Sequence, residues 1–260
     1  MRIVWRLLGL LICGLCMVAA ASAADFPDLL ERVRHSVVGV GTAYPTRVPL
    51  GGKPPNELRG TGFVIADGLT VVTNHHVLPD SLDTDRQQRI AVFSGRGDQS
   101  RVHLASVLAR DPEHDLALLK IEGAALPALV LAESPSVREG EPIAFTGFPI
   151  GAVLGLYPVT HRGYVSAITP VARAVDNAGQ INPAQLRRLR EPYNVLQLDA
   201  VAYPGNSGSP VYRPETGEVI GVINSVFVKE SREAVLERPS GISYAIPIEH
   251  LHRLREQAGL

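Results

Sequence analysis

Cysteine is nearly absent from this 260-residue chain: both residues of that type, Cys13 and Cys16, lie near its start. Arg2 and Arg6, the apolar stretch Leu7 to Ala20 and the small-residue end Ala21-Ser22-Ala23 read as a secretion signal cut before Ala24. The alternative is an uncleaved anchor, but the uncharged run of 18 residues from Leu7 to Ala24 is short for a span, and its small-residue end favours cleavage. Ile12 and Leu15 precede the two cysteines, so neither sits in a lipoprotein box. The exported chain then has no thiol, which excludes disulfides and a Cys-His protease. No other run is apolar enough to cross a bilayer. Charge of one sign is lacking too: the net charge of −1 becomes −3 without Arg2 and Arg6. That is no footprint for nucleic acid, and no glycine-rich phosphate loop occurs. Without staples the core must suffice alone, and roughly 235 residues can build one.

What is present is a series of short β-type runs. Asp25 to His35 has helical spacing, with Pro27 suited to its first turn. From Ser36 onward, runs rich in Val, Ile, Leu, Phe and Thr alternate with Gly, Pro and Asp breaks. They are Val37 to Val40, Gly62 to Ala66, Val71 to Thr73, Ile90 to Phe93, Val102 to Ala109 and Leu116 to Ile121. A second set follows Ser134-Pro135: Pro142 to Thr146, Gly163 to Ile168, Val195 to Asp199, Val211 to Tyr212, Val219 to Val228 and Ile242 to Ile246. Such spacing reads as barrels or sandwiches, not as a parallel α/β sheet. The break divides the exported chain into residues 24–134, an N-terminal segment and a first β unit, and residues 135–260, a second unit ending in a helix from Pro247 to Gln257. Asn182 to Arg190 is expected to be a short capped helix with a solvated basic cluster, Arg187, Arg188 and Arg190.

Histidine, aspartate and serine occur in the chain order that a two-barrel serine protease needs. Ser207 lies in Gly205-Asn206-Ser207-Gly208, where glycines allow a turn that aims the Gly205 and Ser207 N–H groups at one spot, an oxyanion pocket. A serine hydroxyl needs an adjacent base, and that base needs a group to fix its tautomer. His76 is the expected base and His75 its rival. Neighbours in an extended chain face opposite ways, so one alone enters the cleft, and the pair makes a poor metal site. Asp115, at the mouth of the apolar run Leu116 to Leu119, is the expected orienting carboxylate. Asp111 precedes Pro112, for which a turn is the simpler role, and His114 is read as a solvated neighbour.

These strings resemble the HtrA/Deg serine proteases, a group of the trypsin-like peptidases. The match runs through Gly60-Thr61-Gly62-Phe63-Val64-Ile65, Thr73 to Val77, Asp111-Pro112 to Leu119, Gly205 to Pro210 and Gly241 to Pro247, with weaker agreement at Gly147-Phe148-Pro149 and Gly163 to Ala167. The resemblance implies an all-β fold of two six-stranded antiparallel β-barrels with short terminal helices. It implies His76 as base, Asp115 as its carboxylate and Ser207 as nucleophile, with no cofactor and no metal. It also implies polypeptide substrates, unfolded or extended, a periplasmic or secreted location and a role in protein quality control. Relatives often form homotrimers through the N-terminal segment, here Ala24 to Tyr44, where Phe26 and Tyr44 are apolar; a monomer is the alternative.

Three departures stand out. Ser209 replaces a usual glycine and adds a side chain that could gate the site. The Val171 to Asn194 segment is long. The chain ends at Leu260, so no PDZ domain, and no regulation through one, is expected. Asn206 stands where trypsin-like zymogens carry an aspartate; being neutral, it cannot pair with a freshly cut N-terminus, so no activation by that route is expected. Val201, Ala202 and Tyr203 are expected to line the pocket for the residue before the cut, and they include no acid to receive Lys or Arg. The strand through Val222, Ile223 and Asn224 is the expected wall to which substrate adds as an extra strand. Cleavage after small or medium apolar residues follows. An α/β-hydrolase esterase would need Asp and His after the serine, against the order here. A protease-fold peptide binder or chaperone-like protein with little or no activity is the remaining alternative.

Overall fold

The computed structural model describes residues 25–45, 55–133, 136–149, 156–171, 192–224 and 243–260. The expected leader, the 182–190 helix and most of the long 171–194 segment lie outside them. Twelve strands are described: β1 Val37–Ala43, β2 Asn56–Ile65, β3 Thr70–Thr73, β4 Arg89–Ser94, β5 Arg101–Asp111, β6 Leu116–Ile121, β7 Pro142–Gly147, β8 Val159–Pro170, β9 Asn194–Leu198, β10 Pro210–Tyr212, β11 Val219–Asn224 and β12 Ser243–Pro247. They close into two antiparallel barrels of six strands, in the orders β1-β2-β3-β6-β5-β4 and β10-β11-β12-β9-β8-β7. Closure leaves no sheet edge along these ladders, which suits a chain rich in short β-branched runs. Two helices frame them, α1 Phe26–Ser36 and α2 Ile248–Gln257.

Alternation of side chains explains where the core lies. In β6, Ala117, Leu119 and Ile121 fill the first barrel, while Leu116 and Leu118 face the space between the barrels. In β7, Ile143 and Phe145 fill the second barrel and Ala144 faces the shared space. Strands buried on both faces read as continuous apolar runs, hence the all-buried β1. The shared core is closed by Leu29 and Val33 of α1 and by Leu251 and Leu254 of α2. Tyr212 lies at its centre, with its hydroxyl 2.8 Å from Thr146 Oγ1, so the one polar atom on that ring is satisfied. This common core holds the end of β3, the β5–β6 turn and the loop before β10 at one cleft.

Candidate active site

Asp115 organises the cleft. It is the last residue of the β5–β6 turn and has φ +55°, a left-handed conformation that is uncommon outside glycine but that aspartate adopts more readily than most. Its carbonyl accepts from His75 N–H at 3.1 Å and from Asn74 Nδ2 at 3.0 Å. Its carboxylate accepts from His76 N–H at Oδ1 (2.9 Å) and from Asn224 Nδ2 at Oδ2 (2.7 Å), and Oδ2 is 2.6 Å from His76 Nδ1. The residue is 8% exposed, so these donors are what compensate its burial. Asp111 serves the turn itself: Oδ1 accepts the Glu113 and His114 N–H groups, and Oδ2 is 2.6 Å from His114 Nδ1. Burial pushes the Asp111 carboxyl up, but the bonds from His114 and the backbone outweigh it and hold it below the usual range.

The two adjacent histidines are not in extended chain, as the sequence suggested. The bonds to Asp115 wind His75–Val77 into a 3-10 turn. His76 faces the cleft, with Nε2 2.9 Å from Ser207 Oγ. With Nδ1–H donating to Asp115, Nε2 is left to accept from the serine hydroxyl. His75 is partly buried, and that burial lowers its pKa from the ordinary histidine value. The geometry thus joins Asp115, His76 and Ser207 in one series of contacts.

Ser207 follows a tight turn. Asn206 N–H donates to Tyr203 O at 2.9 Å, with Pro204 and Gly205 between them and Gly205 at φ +98°. That is the residue pattern and bond of a type II turn, whose central peptide points its N–H out of the ring. Among the described residues, the Gly205 N–H has no backbone partner. Thr61, on β2 of the other barrel, fixes this loop from behind. Its hydroxyl donates to Gly205 O at 2.7 Å and accepts from Phe148 N–H at 3.0 Å, and its own N–H donates to Ser207 O at 2.8 Å. Its carbonyl accepts from Thr73 Oγ1 at 2.7 Å. Ser209 is fully buried against Gly147, where an added Cβ would lie 2.0 Å from Ser209 Oγ and 2.9 Å from Asn206 Oδ1. The Asn206 side chain is also buried, and neither of its polar atoms has a hydrogen-bond partner among the described residues.

The expected substrate-contacting residues fare unevenly. Val201 and Tyr203 are partly exposed; Ala202 is buried, its N–H donating to Ser243 Oγ at 2.7 Å. Val222 and Ile223 are fully buried in the core, and β11 lies between β10 and β12. Ile223 N–H and C=O are already bonded to Ser209 and Gly208. A substrate strand therefore cannot add at these two positions, because their ladder groups are taken. Asn224 pairs with Tyr244 in the ladder and turns its side chain to Asp115, a role that spacing in the sequence did not reveal. Thr61 lies in the string Gly60 to Ile65, but nothing local in the sequence shows that its hydroxyl reaches the other barrel.

A profile of the trypsin-like peptidase domain matches residues 60–222. The chain is 26% identical to a protein of Ectopseudomonas mendocina named "Probable periplasmic serine endoprotease DegP-like", over 96% of this chain and 52% of that one. A protein of the same name in Pseudomonas fluorescens is 29% identical over 88% of this chain and 41% of its own length. "Serine protease HTR4" of Bos taurus is 31% identical over 87% of this chain and 40% of its own length. The chain thus spans about half, or less, of these relatives.

Proposed function

The chain belongs to the trypsin-like peptidase family, and from that premise we propose that it is an exported serine endopeptidase of the HtrA/DegP type. Ser207 Oγ attacks the scissile carbonyl. His76 Nε2 takes its proton and later returns it to the leaving amine, while Asp115 holds the imidazole and stabilises its charged form. The Gly205 and Ser207 N–H groups receive the oxyanion. The observation that carries this reading is the series Asp115 Oδ2, His76 Nδ1, His76 Nε2, Ser207 Oγ, with contacts of 2.6 and 2.9 Å. The assembled series favours hydrolysis over a purely peptide-binding role.

Substrates are extended or unfolded polypeptides, cut after small or medium apolar residues. Val201 and Tyr203 offer no carboxylate to a basic side chain. The leader is cut before Ala24 and the product resides in the periplasm or outside the cell. Assembly, as a trimer or otherwise, would use the N-terminal segment from Ala24 to Tyr44, where Phe26 and Tyr44 remain partly exposed while Leu29 and Val33 are buried in the chain's own core. The test is hydrolysis of an unfolded protein and of a peptide library by the secreted chain and its Ser207→Ala variant. Turnover by the parent alone, with small apolar residues before the cut, supports the proposal; equal turnover by Ser207→Ala rejects the mechanism, and a profile led by Arg or Lys rejects the specificity.

A further inference from the structure

A second aspartate–histidine pair stands directly behind the first. Asp111 receives the His114 backbone N–H at 3.1 Å and is 2.6 Å from its Nδ1. The other side of the His114 ring is covered by His250 of α2: the rings stack with centroids 4.0 Å apart and planes 27° from parallel. Tyr193, just before β9, packs on both, at 4.7 Å from His114 and 4.9 Å from His250. His250 is 3% exposed, and neither ring nitrogen has a partner among the described residues. The groups facing it are His114 and Asp111 from the turn, Tyr193 from the approach to β9 and Arg253 from its own helix. Burial first, then electrostatic interaction with His114 and Arg253, push its pKa down to about 3 against the opposing pull of Asp111, so it packs as a neutral ring. Stacked rings do not converge on a point, and among the described residues no group of three ligating side chains is arranged for a metal.

The placement of this cluster gives it a use. His114 is peptide-bonded to Asp115, whose backbone is in the left-handed region at φ +55°, uncommon for a residue with a side chain. Asn74 and His75 hold the carbonyl on the far side of Asp115. On the near side, His114 links the turn to the C-terminal helix: it is tied to Asp111 below and stacked on His250 above. We infer that His114, clamped between Asp111 and His250, is a positioning residue that sets the Asp115 backbone and so aims its carboxylate at His76. The clamp makes α2 part of the catalytic apparatus without touching substrate. This rests on the reading of Asp115 as the carboxylate of the triad.

The test measures kcat and KM on a peptide substrate, with active sites counted by a fluorophosphonate that labels the reactive serine. His114→Ala should keep one label per folded chain and an unchanged KM, while kcat per labelled site falls about tenfold. His114→Asn, whose amide can still donate to Asp111, should recover most of that loss. His250→Ala should lower kcat in the same way, and His250→Phe, which keeps a ring on His114, should restore it. A part needed only for folding would reduce the labelled fraction and leave kcat per label alone; that result overturns the inference, as does a kcat within twofold of the parent in His114→Ala. Failure of the parent protein to label at Ser207 would sink the triad reading and this inference with it, which separates the two failures.

Discussion

Replacing Asn224 by alanine tests the site where sequence and structure differ most. The sequence placed Asn224 among the substrate contacts; the structure aims its amide at Asp115 Oδ2, 2.7 Å away and buried. Three donors serve that carboxylate, and the substitution removes one. A hydrogen bond to a charged group contributes about 1.5–3 kcal/mol. Water entering the space left by the side chain would recover part of this. If the bond matters mainly when His76 carries its proton, the loss falls on the transition state: about tenfold to a hundredfold in kcat at about 1.4 kcal/mol per decade. The ceiling is Asp115→Asn, for which the known behaviour of the Ser-His-Asp triad gives about 10⁴. The assay is steady-state hydrolysis of an unfolded-chain peptide, with active sites counted by covalent labelling. A fall in kcat at constant KM fits a residue that steadies Asp115. A rise in KM with kcat unchanged would show that Asn224 serves substrate instead, and that the bond to Asp115 is incidental.

Thr61→Val removes the hydroxyl that holds Gly205 O and strands the Phe148 N–H, so melting should fall by the equivalent of about 2–4 kcal/mol and kcat should drop with it; an unchanged melting curve would refute that role. Gly147→Ala should abolish serine labelling, because its Cβ would lie 2.0 Å from Ser209 Oγ, and adding Ser209→Gly should recover part of it; wild-type labelling in Gly147→Ala would contradict the packing. Above pH 6.5 His250 is neutral folded or unfolded; below it the unfolded chain takes up a proton that the fold refuses until pH nears 3, so stability falls by about 1.4 kcal/mol per pH unit, up to about 5 in all. Urea unfolding between pH 7 and pH 4 should show this slope reduced by one proton in His250→Phe; parallel slopes in the two proteins would refute it.

The sequence and the structure agree where chemistry is local. Each apolar run from Val37 to Ile246 that falls among the described residues is part of a strand, and both terminal helices lie within a residue or two of expectation. The order of histidine, aspartate and serine marked three residues that the fold brings together. What stayed hidden depends on closure between barrels. Asn224 and Thr61 act across the cleft, 109 and 144 residues from the groups they bind, and no periodicity encodes such a contact. The 3-10 turn at His75 arises from bonds to Asp115, a partner 40 residues away, and so overrode the extended reading of that string. His114 looked like a solvated neighbour because its cover, His250, lies at the far end of the chain. Val222 and Ile223 looked like a substrate wall because a barrel strand and an open edge have the same composition.

The most direct measurement is mass spectrometry of the protein after exposure to a fluorophosphonate. One adduct per chain, mapped to Ser207, blocked by His76→Ala and missing from Ser207→Ala, is the expected result. An unreacted Ser207 in a folded, parent-sequence protein, or equal labelling after His76→Ala, would mean that the imidazole 2.9 Å away does not activate it.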